Sequence, residues 1–214
     1  MNAPQDSILY SIAILGAKGV GKTSLAGDVV RRYNPLGASP KPGNIYRERI
    51  DYSTAADKFT VEFTDYPTTT RFPRYSDSTL HDILDPCQMV LLVCNIDDAQ
   101  TIDYAAQLAP RCRKLKDGKI HTFLVFAMDD GDFDRQTLTN AQLANIALGC
   151  GSFYGRCSVQ MDDNVEQVLY DAMNILTQGS QSYMFTEVTP GAPDARAGKG
   201  GKAGKGQGGK CVVM

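Results

Sequence analysis

"GAKGVGKT", residues 16–23, stands directly behind the apolar run "ILYSIAIL" and directly ahead of a stretch with helical spacing. Strand, glycine loop and helix in that order predict a phosphate-binding loop. Small residues let backbone N–H groups curl around phosphate oxygens, and the following helix turns its positive dipole end toward them. The expected cradle runs from Gly16 through Ala17, Lys18, Gly19, Val20, Gly21, Lys22 and Thr23 to Ser24. Within it Gly16, Gly19 and Gly21 keep the turn tight, Lys22 reaches the terminal phosphates as the expected catalytic cation, and Thr23 offers its hydroxyl to a magnesium ion. Composition alone produces the bare pattern in roughly one per cent of chains this size, and the flanking strand and helix lower that further. The Gly-Lys pairs near the C-terminus act as a control, since none is followed by Ser or Thr and no strand precedes them.

Outward from this loop the hydrophobic period alternates. Strand-like runs fall at Ile8 to Leu15, Phe59 to Phe63, Met89 to Asn95, Thr122 to Phe126 and Ser152 to Ser158, with a weaker one at Arg47 to Tyr52 paired with Phe59 to Phe63 across a turn. Helical spacing covers Lys22 to Arg32, Thr101 to Lys114, Thr139 to Leu148 and Asp163 to Leu176. This order predicts an α/β fold of the P-loop NTPase type: a mostly parallel six-stranded sheet with helices on both faces. Two stretches read as loops. "NPLGASPKPGN", residues 34–44, carries three prolines, and "DYPTTTRFPRYSDS", residues 65–78, is the second.

A chain of 214 residues suits one domain, expected over residues 7–177, with a flexible tail over 178–214 that is too rich in Gly, Pro, Ala and Lys to bury a core. The last twenty residues hold five cations (Arg196, Lys199, Lys202, Lys205, Lys210) and no acid, so 17 of the 22 basic residues face 24 acidic ones in the remainder. The body is acidic and the tail basic, and a basic tail favours a negative surface. Six cysteines show no C-x-x-C spacing, the N-terminus lacks a signal-peptide pattern, and no window approaches a membrane span. The expectation is a protein of the cytoplasm with neither a disulfide framework nor a nucleic-acid partner.

Taken with "CVVM" at residues 211–214, the loop and the strand order give a chain that resembles a Ras-superfamily small GTPase over about residues 7–176. The resemblance implies GTP or GDP with magnesium as ligands. It places Asp65 of "VEFTDYPT" at the family's magnesium-holding aspartate, with Thr68 where the family has glycine and Thr69 where it has the water-orienting glutamine. The base-recognising N-K-x-D motif reads Ala127, Met128, Asp129 and Asp130, so Asp130 alone is retained, as a guanine acceptor or merely a loop aspartate. Ser158, Val159 and Gln160 stand at the family's S-A-K motif, whose middle residue acts through its N–H. Lys41 falls at the position of the first switch threonine, with Ser39 the nearby hydroxyl, and Tyr33 stands one position from the family's base-stacking aromatic, or is a core tyrosine. Lys18 replaces the usual glycine beside the terminal phosphate, where it obstructs the water and any arginine finger or else serves as an internal cation.

"CVVM" fits a C-a-a-X box with Cys211 as the prenylated residue, and methionine in last place favours farnesyl. One prenyl chain anchors marginally, so the five tail cations are the expected second signal for an anionic inner leaflet. The expected protein is a membrane-anchored small GTP-binding switch in signalling or trafficking, on the cytoplasmic face of a membrane, with weak intrinsic hydrolysis. The alternatives are a pseudo-GTPase interaction module that binds nucleotide without turnover, or, less in keeping with the tail, a P-loop ATPase or nucleoside kinase.

Overall fold

A computed structural model describes residues 8–41, 43–53, 58–128 and 138–178. Eleven elements follow in chain order: β1 (Ile8–Gly16), α1 (Lys22–Tyr33), β2 (Tyr46–Ser53), β3 (Lys58–Asp65), α2 (Asp77–Leu84), β4 (Met89–Asn95), α3 (Ala99–Leu115), β5 (His121–Ala127), α4 (Asn140–Gly149), β6 (Phe153–Cys157) and α5 (Val165–Gln178). The strands form one sheet in the order β2-β3-β1-β4-β5-β6. Strands β3, β1, β4, β5 and β6 run parallel, and β2 joins antiparallel to β3 as the weaker hairpin read from sequence.

Successive strand residues point to opposite faces, so a strand covered on both sides must be apolar throughout. β1 meets this condition from Ile12 to Leu15: Ile12 and Ile14 enter a core with Leu25 and Val29 of α1 and Val168 and Leu169 of α5. Ala13 and Leu15 enter the opposite core with Leu80 of α2, Ile102 and Leu108 of α3 and Leu143 of α4. Two helices therefore cover one face and three the other. The five described cysteines, Cys87, Cys94, Cys112, Cys150 and Cys157, are buried free thiols that pack as small apolar groups.

The segment 65–78, read as loop, ends in a helix. α2 starts at Asp77, capped by the Ser76 hydroxyl, which accepts from the Thr79 N–H at 3.1 Å, and it buries Leu80, Ile83 and Leu84 at helical spacing. α3 continues through Pro110 as its apolar period requires. The proline's missing hydrogen bond and ring clash cost about 3 kcal/mol in a helix interior, and the helix holds because Ile102, Ala105, Leu108, Ala109 and Cys112 are all buried.

β1 has β3 on one side and β4 on the other, and both neighbours leave the sheet in its direction. The carboxyl ends of these three strands share one edge, with the loop 17–21 at the centre of it. A crevice at the carboxyl edge, beside the strand where connections diverge to either side, is where open α/β sheets take ligands.

Candidate functional site

Gly16 is the last residue of β1 and pairs with Val93 of β4. A Cβ on Gly16 would lie 2.2 Å from the Val93 carbonyl oxygen, so only glycine lets the chain leave the sheet here. Gly19 and Gly21 have φ of +83° and +91°, and a Cβ on either would meet nothing within 4 Å. The first glycine serves the fold, whereas the other two serve the turn and leave its outer side clear.

Gly21 is also the N-cap of α1, and no side chain caps that helix. α2, α3 and α4 are capped by Ser76, Asp98 and Thr139. The first N–H groups of a helix lack partners within it, and an uncapped end presents them together with the positive end of the dipole. No acidic residue stands in the first turn of α1 to take that role.

Lys22, the first residue of α1, is 5% exposed and folds back over the loop. Its Nζ donates to the carbonyls of Ala17 at 2.6 Å and Gly16 at 3.2 Å and to Thr68 Oγ1 at 3.3 Å. Burial lowers the affinity of this amine for its proton, and the nearby Asp65 charge works against that shift. Thr23 Oγ1 donates to Asp65 Oδ2 at 2.5 Å, joining α1 to the end of β3. Asp65 is 1% exposed and its Oδ1 has no partner. Burial raises its pKa, opposed by the Thr23 hydrogen bond and the Lys22 charge.

This chemistry fits a hard cation bound together with an oxyanion. A hydroxyl and a half-satisfied carboxylate are oxygen donors of the kind magnesium takes, and magnesium completes its shell with water and phosphate rather than with an all-protein cage. The described residues contain no cluster of three His, Cys, Asp or Glu side chains able to hold a metal alone.

Lys18 is exposed. Its N–H donates to the Arg71 carbonyl at 2.9 Å and its Nζ to the Thr69 carbonyl at 3.5 Å, which lays residues 68–71 against the loop. Ala17 and Val20 are buried, and Ser24 is exposed beside Thr23. A cleft of about 360 Å³ opens between α1 and residues 34–40, bordered by Thr23, Ser24, Asp28, Pro40, Tyr46 and Val159. Val159 thus faces the same hollow as Thr23. Ser158 is fully buried, exchanges backbone hydrogen bonds with Asp163 and accepts the Met161 N–H on its hydroxyl, fixing the turn that carries Val159. Pro40 comes so close to α1 that a Cβ on Gly27 would lie 2.9 Å from its ring.

Tyr33 is half-buried, with its ring 5.8 Å from that of Tyr52, and packs against the core. Lys41 and Ser39 are both exposed in the first loop. Asp130 and Cys211 lie outside the described residues.

The structure adds two features that short motifs do not carry. Asp28 of α1 pairs with Arg31 and Arg32 at 2.8 Å each, and Arg32 also pairs with Asp162, which ties α1 to the Val159 turn. The segment after β3 is bound to α3 by side chains distant in the chain, Tyr104 and Arg111 among them. The alternation of strand and loop in the sequence contains no signal for either.

The sequence matches no protein-family model, and no curated protein matches it. The fold and site define an α/β protein with a mostly parallel six-stranded sheet, whose carboxyl edge brings a glycine loop, a buried lysine and a threonine–aspartate pair to one helix end. No described helix is long and apolar enough to cross a membrane.

Proposed function

We propose that this chain is a guanine-nucleotide-binding protein of the small GTPase type, with the P-loop NTPase fold, acting as a membrane-anchored switch in signalling or trafficking with weak intrinsic GTP hydrolysis. The observation that carries the reading is the convergence of Lys22, Thr23 and Asp65 at the uncapped N-terminus of α1. Backbone N–H groups of residues 19–23 and the Lys22 amine bind the phosphates of GDP or GTP. Thr23 and Asp65 hold magnesium, which when bound neutralises phosphate charge and orients the chain of phosphates. The Val159 N–H and Asp130 take the guanine edge, with the cleft beside α1 receiving the nucleoside.

Slow hydrolysis follows from the residues around the terminal phosphate. Thr69 is too short to orient an attacking water as glutamine does, and Lys18 fills the approach an arginine finger would use, a contribution worth about 10³- to 10⁵-fold in rate. The Lys18 amine lies against the Thr69 carbonyl, which favours obstruction over service as an internal cation. The same two residues support the second reading, a pseudo-GTPase that keeps its nucleotide without turnover. Cys211 is the proposed prenylation site, and the five tail cations add electrostatic attraction to an anionic inner leaflet.

Mass spectrometry of the nucleotide released when the purified protein is denatured tests the reading. A guanine nucleotide near one per chain is expected. Adenine nucleotide in its place would overturn the guanine assignment.

A further inference from the structure

We propose that residues 66–76 form a fixed arm across the phosphate loop that makes the site selective for a nucleoside diphosphate over a triphosphate, an inference resting on the nucleotide-binding reading above. The arm meets the loop at Lys22, the cation expected at the terminal phosphates, and at Lys18 beside it. Thr68 Oγ1 takes a hydrogen bond from Lys22 Nζ at 3.3 Å, the Arg71 carbonyl takes the Lys18 N–H at 2.9 Å, and the Thr69 carbonyl lies 3.5 Å from Lys18 Nζ. An ammonium has three donors. The other two contacts of Lys22 are carbonyls of the loop itself, so the arm holds the third.

A segment that moves freely would yield this position to a phosphate at little cost. This one is fastened to α3 from Arg71 onward. Arg71 pairs with Asp98 at 2.7 Å, and its guanidinium lies 5.0 Å over the Phe72 ring. Phe72 packs against Tyr104 at 5.7 Å, and the Tyr104 hydroxyl donates to the Pro73 carbonyl at 2.7 Å. Arg111 closes the far end, donating to the Tyr75 carbonyl at 3.0 Å and to Asp77 at 2.7 Å. Pro67 and Pro73 restrict the backbone between these points.

A diphosphate ends at the loop N–H groups, takes one donor of Lys22 from a loop carbonyl and leaves the arm in place. A triphosphate must take Lys22 from Thr68 and the Lys18 N–H from Arg71 while α3 still holds the arm. Each such bond is worth roughly 5- to 10-fold in an equilibrium constant, so the expected preference for the diphosphate is on the order of 30-fold.

Calorimetric titration of nucleotide-stripped, full-length protein with Mg·GDP and with Mg·GTPγS reads this ratio. The informative variant is Asp98→Asn combined with Tyr104→Phe. The asparagine keeps the helix cap that Asp98 gives to the Gln100 N–H while losing the charge on Arg71, and phenylalanine keeps the ring packing while losing the bond to Pro73. The wild type is expected to bind GDP about 30-fold more tightly than GTPγS. The double variant is expected to narrow that ratio to about threefold through a gain for GTPγS, with GDP affinity and the circular dichroism spectrum unchanged. Equal affinities in the wild type would overturn the arm and leave the nucleotide reading standing, as would a double variant with the wild-type ratio. Failure to bind either nucleotide would overturn both.

Discussion

Gly16→Ala separates the demands of the fold from those of the ligand. The new methyl would stand 2.2 Å from the Val93 carbonyl oxygen and 3.2 Å from the Val93 carbonyl carbon, both backbone atoms in the middle of the sheet. No side-chain rotation relieves that contact. Relief requires the β1–β4 pairing to open at its carboxyl end, where Leu15↔Leu92 and Gly16↔Val93 are the last pairs. Overpacking in a tight core costs about 1–3 kcal/mol, and a side chain at the observed φ of +150° adds strain of about 1–3 kcal/mol. A total of about 2–6 kcal/mol is a large part of an ordinary domain's stability and lowers Tm by roughly 5–20 °C for a chain of this size. Gly19→Ala and Gly21→Ala meet no atom, so each costs only the backbone term of about 1–2 kcal/mol while placing a methyl where phosphate would sit. Urea unfolding of the three variants, followed by nucleotide titration, gives the comparison. A Gly16→Ala protein within about 1 kcal/mol of wild type would refute the close β1–β4 contact and the distinction drawn from it.

Thr23→Ala removes the 2.5 Å donor from Asp65 and leaves that buried carboxylate without a hydrogen bond, so it is expected to lower stability by about 2 kcal/mol in urea and to erase the difference in nucleotide affinity between magnesium and EDTA, with Thr23→Ser restoring both. The pKa of His121 is lowered from the ordinary 6.5 by burial beside Phe153. The unfolded chain therefore binds the proton more readily, and stability present above pH 6.5 is lost as pH falls through the lowered folded value. His121→Gln is expected to flatten that acid limb of the urea midpoint against pH. Cys211→Ser is expected to move the protein from membrane to soluble fractions, and neutralising the tail lysines to weaken vesicle binding by about 1 kcal/mol per charge.

The sequence made the inner strands of the sheet legible because each had to satisfy two faces. A run such as "ILYSIAIL" admits little other than a central strand, and the glycine loop behind it fixed the position of α1. α2 escaped because eight residues at the end of a Pro- and Thr-rich loop give barely two turns of period. The signal was present in Ser76 followed by Leu80, Ile83 and Leu84. Motif spacing singled out Lys22 and Thr23 and the resemblance to small GTPases singled out Asp65; Thr23 and Asp65 share a hydrogen bond, and Lys22 folds over the loop within reach of the Asp65 charge. The arm was not legible. Arg71 with Asp98, Pro73 with Tyr104 and Tyr75 with Arg111 are 27 to 36 residues apart, and only the packing of α3 over β4 and beside α2 brings them together. Thr68 stood out in the sequence only as a missing glycine, whereas its hydroxyl is a partner of Lys22.

The central claim is that the loop at residues 16–23 holds a guanine nucleotide through Lys22. Its most direct test is calorimetric titration of nucleotide-stripped wild type and Lys22→Ala with Mg·GDP, with Mg·ADP run in parallel. The account predicts saturable 1:1 binding of GDP by the wild type, binding of ADP weaker by roughly 100-fold or more, and loss of most GDP affinity in Lys22→Ala. GDP affinity unchanged by Lys22→Ala, or GDP and ADP bound alike by the wild type, would contradict it.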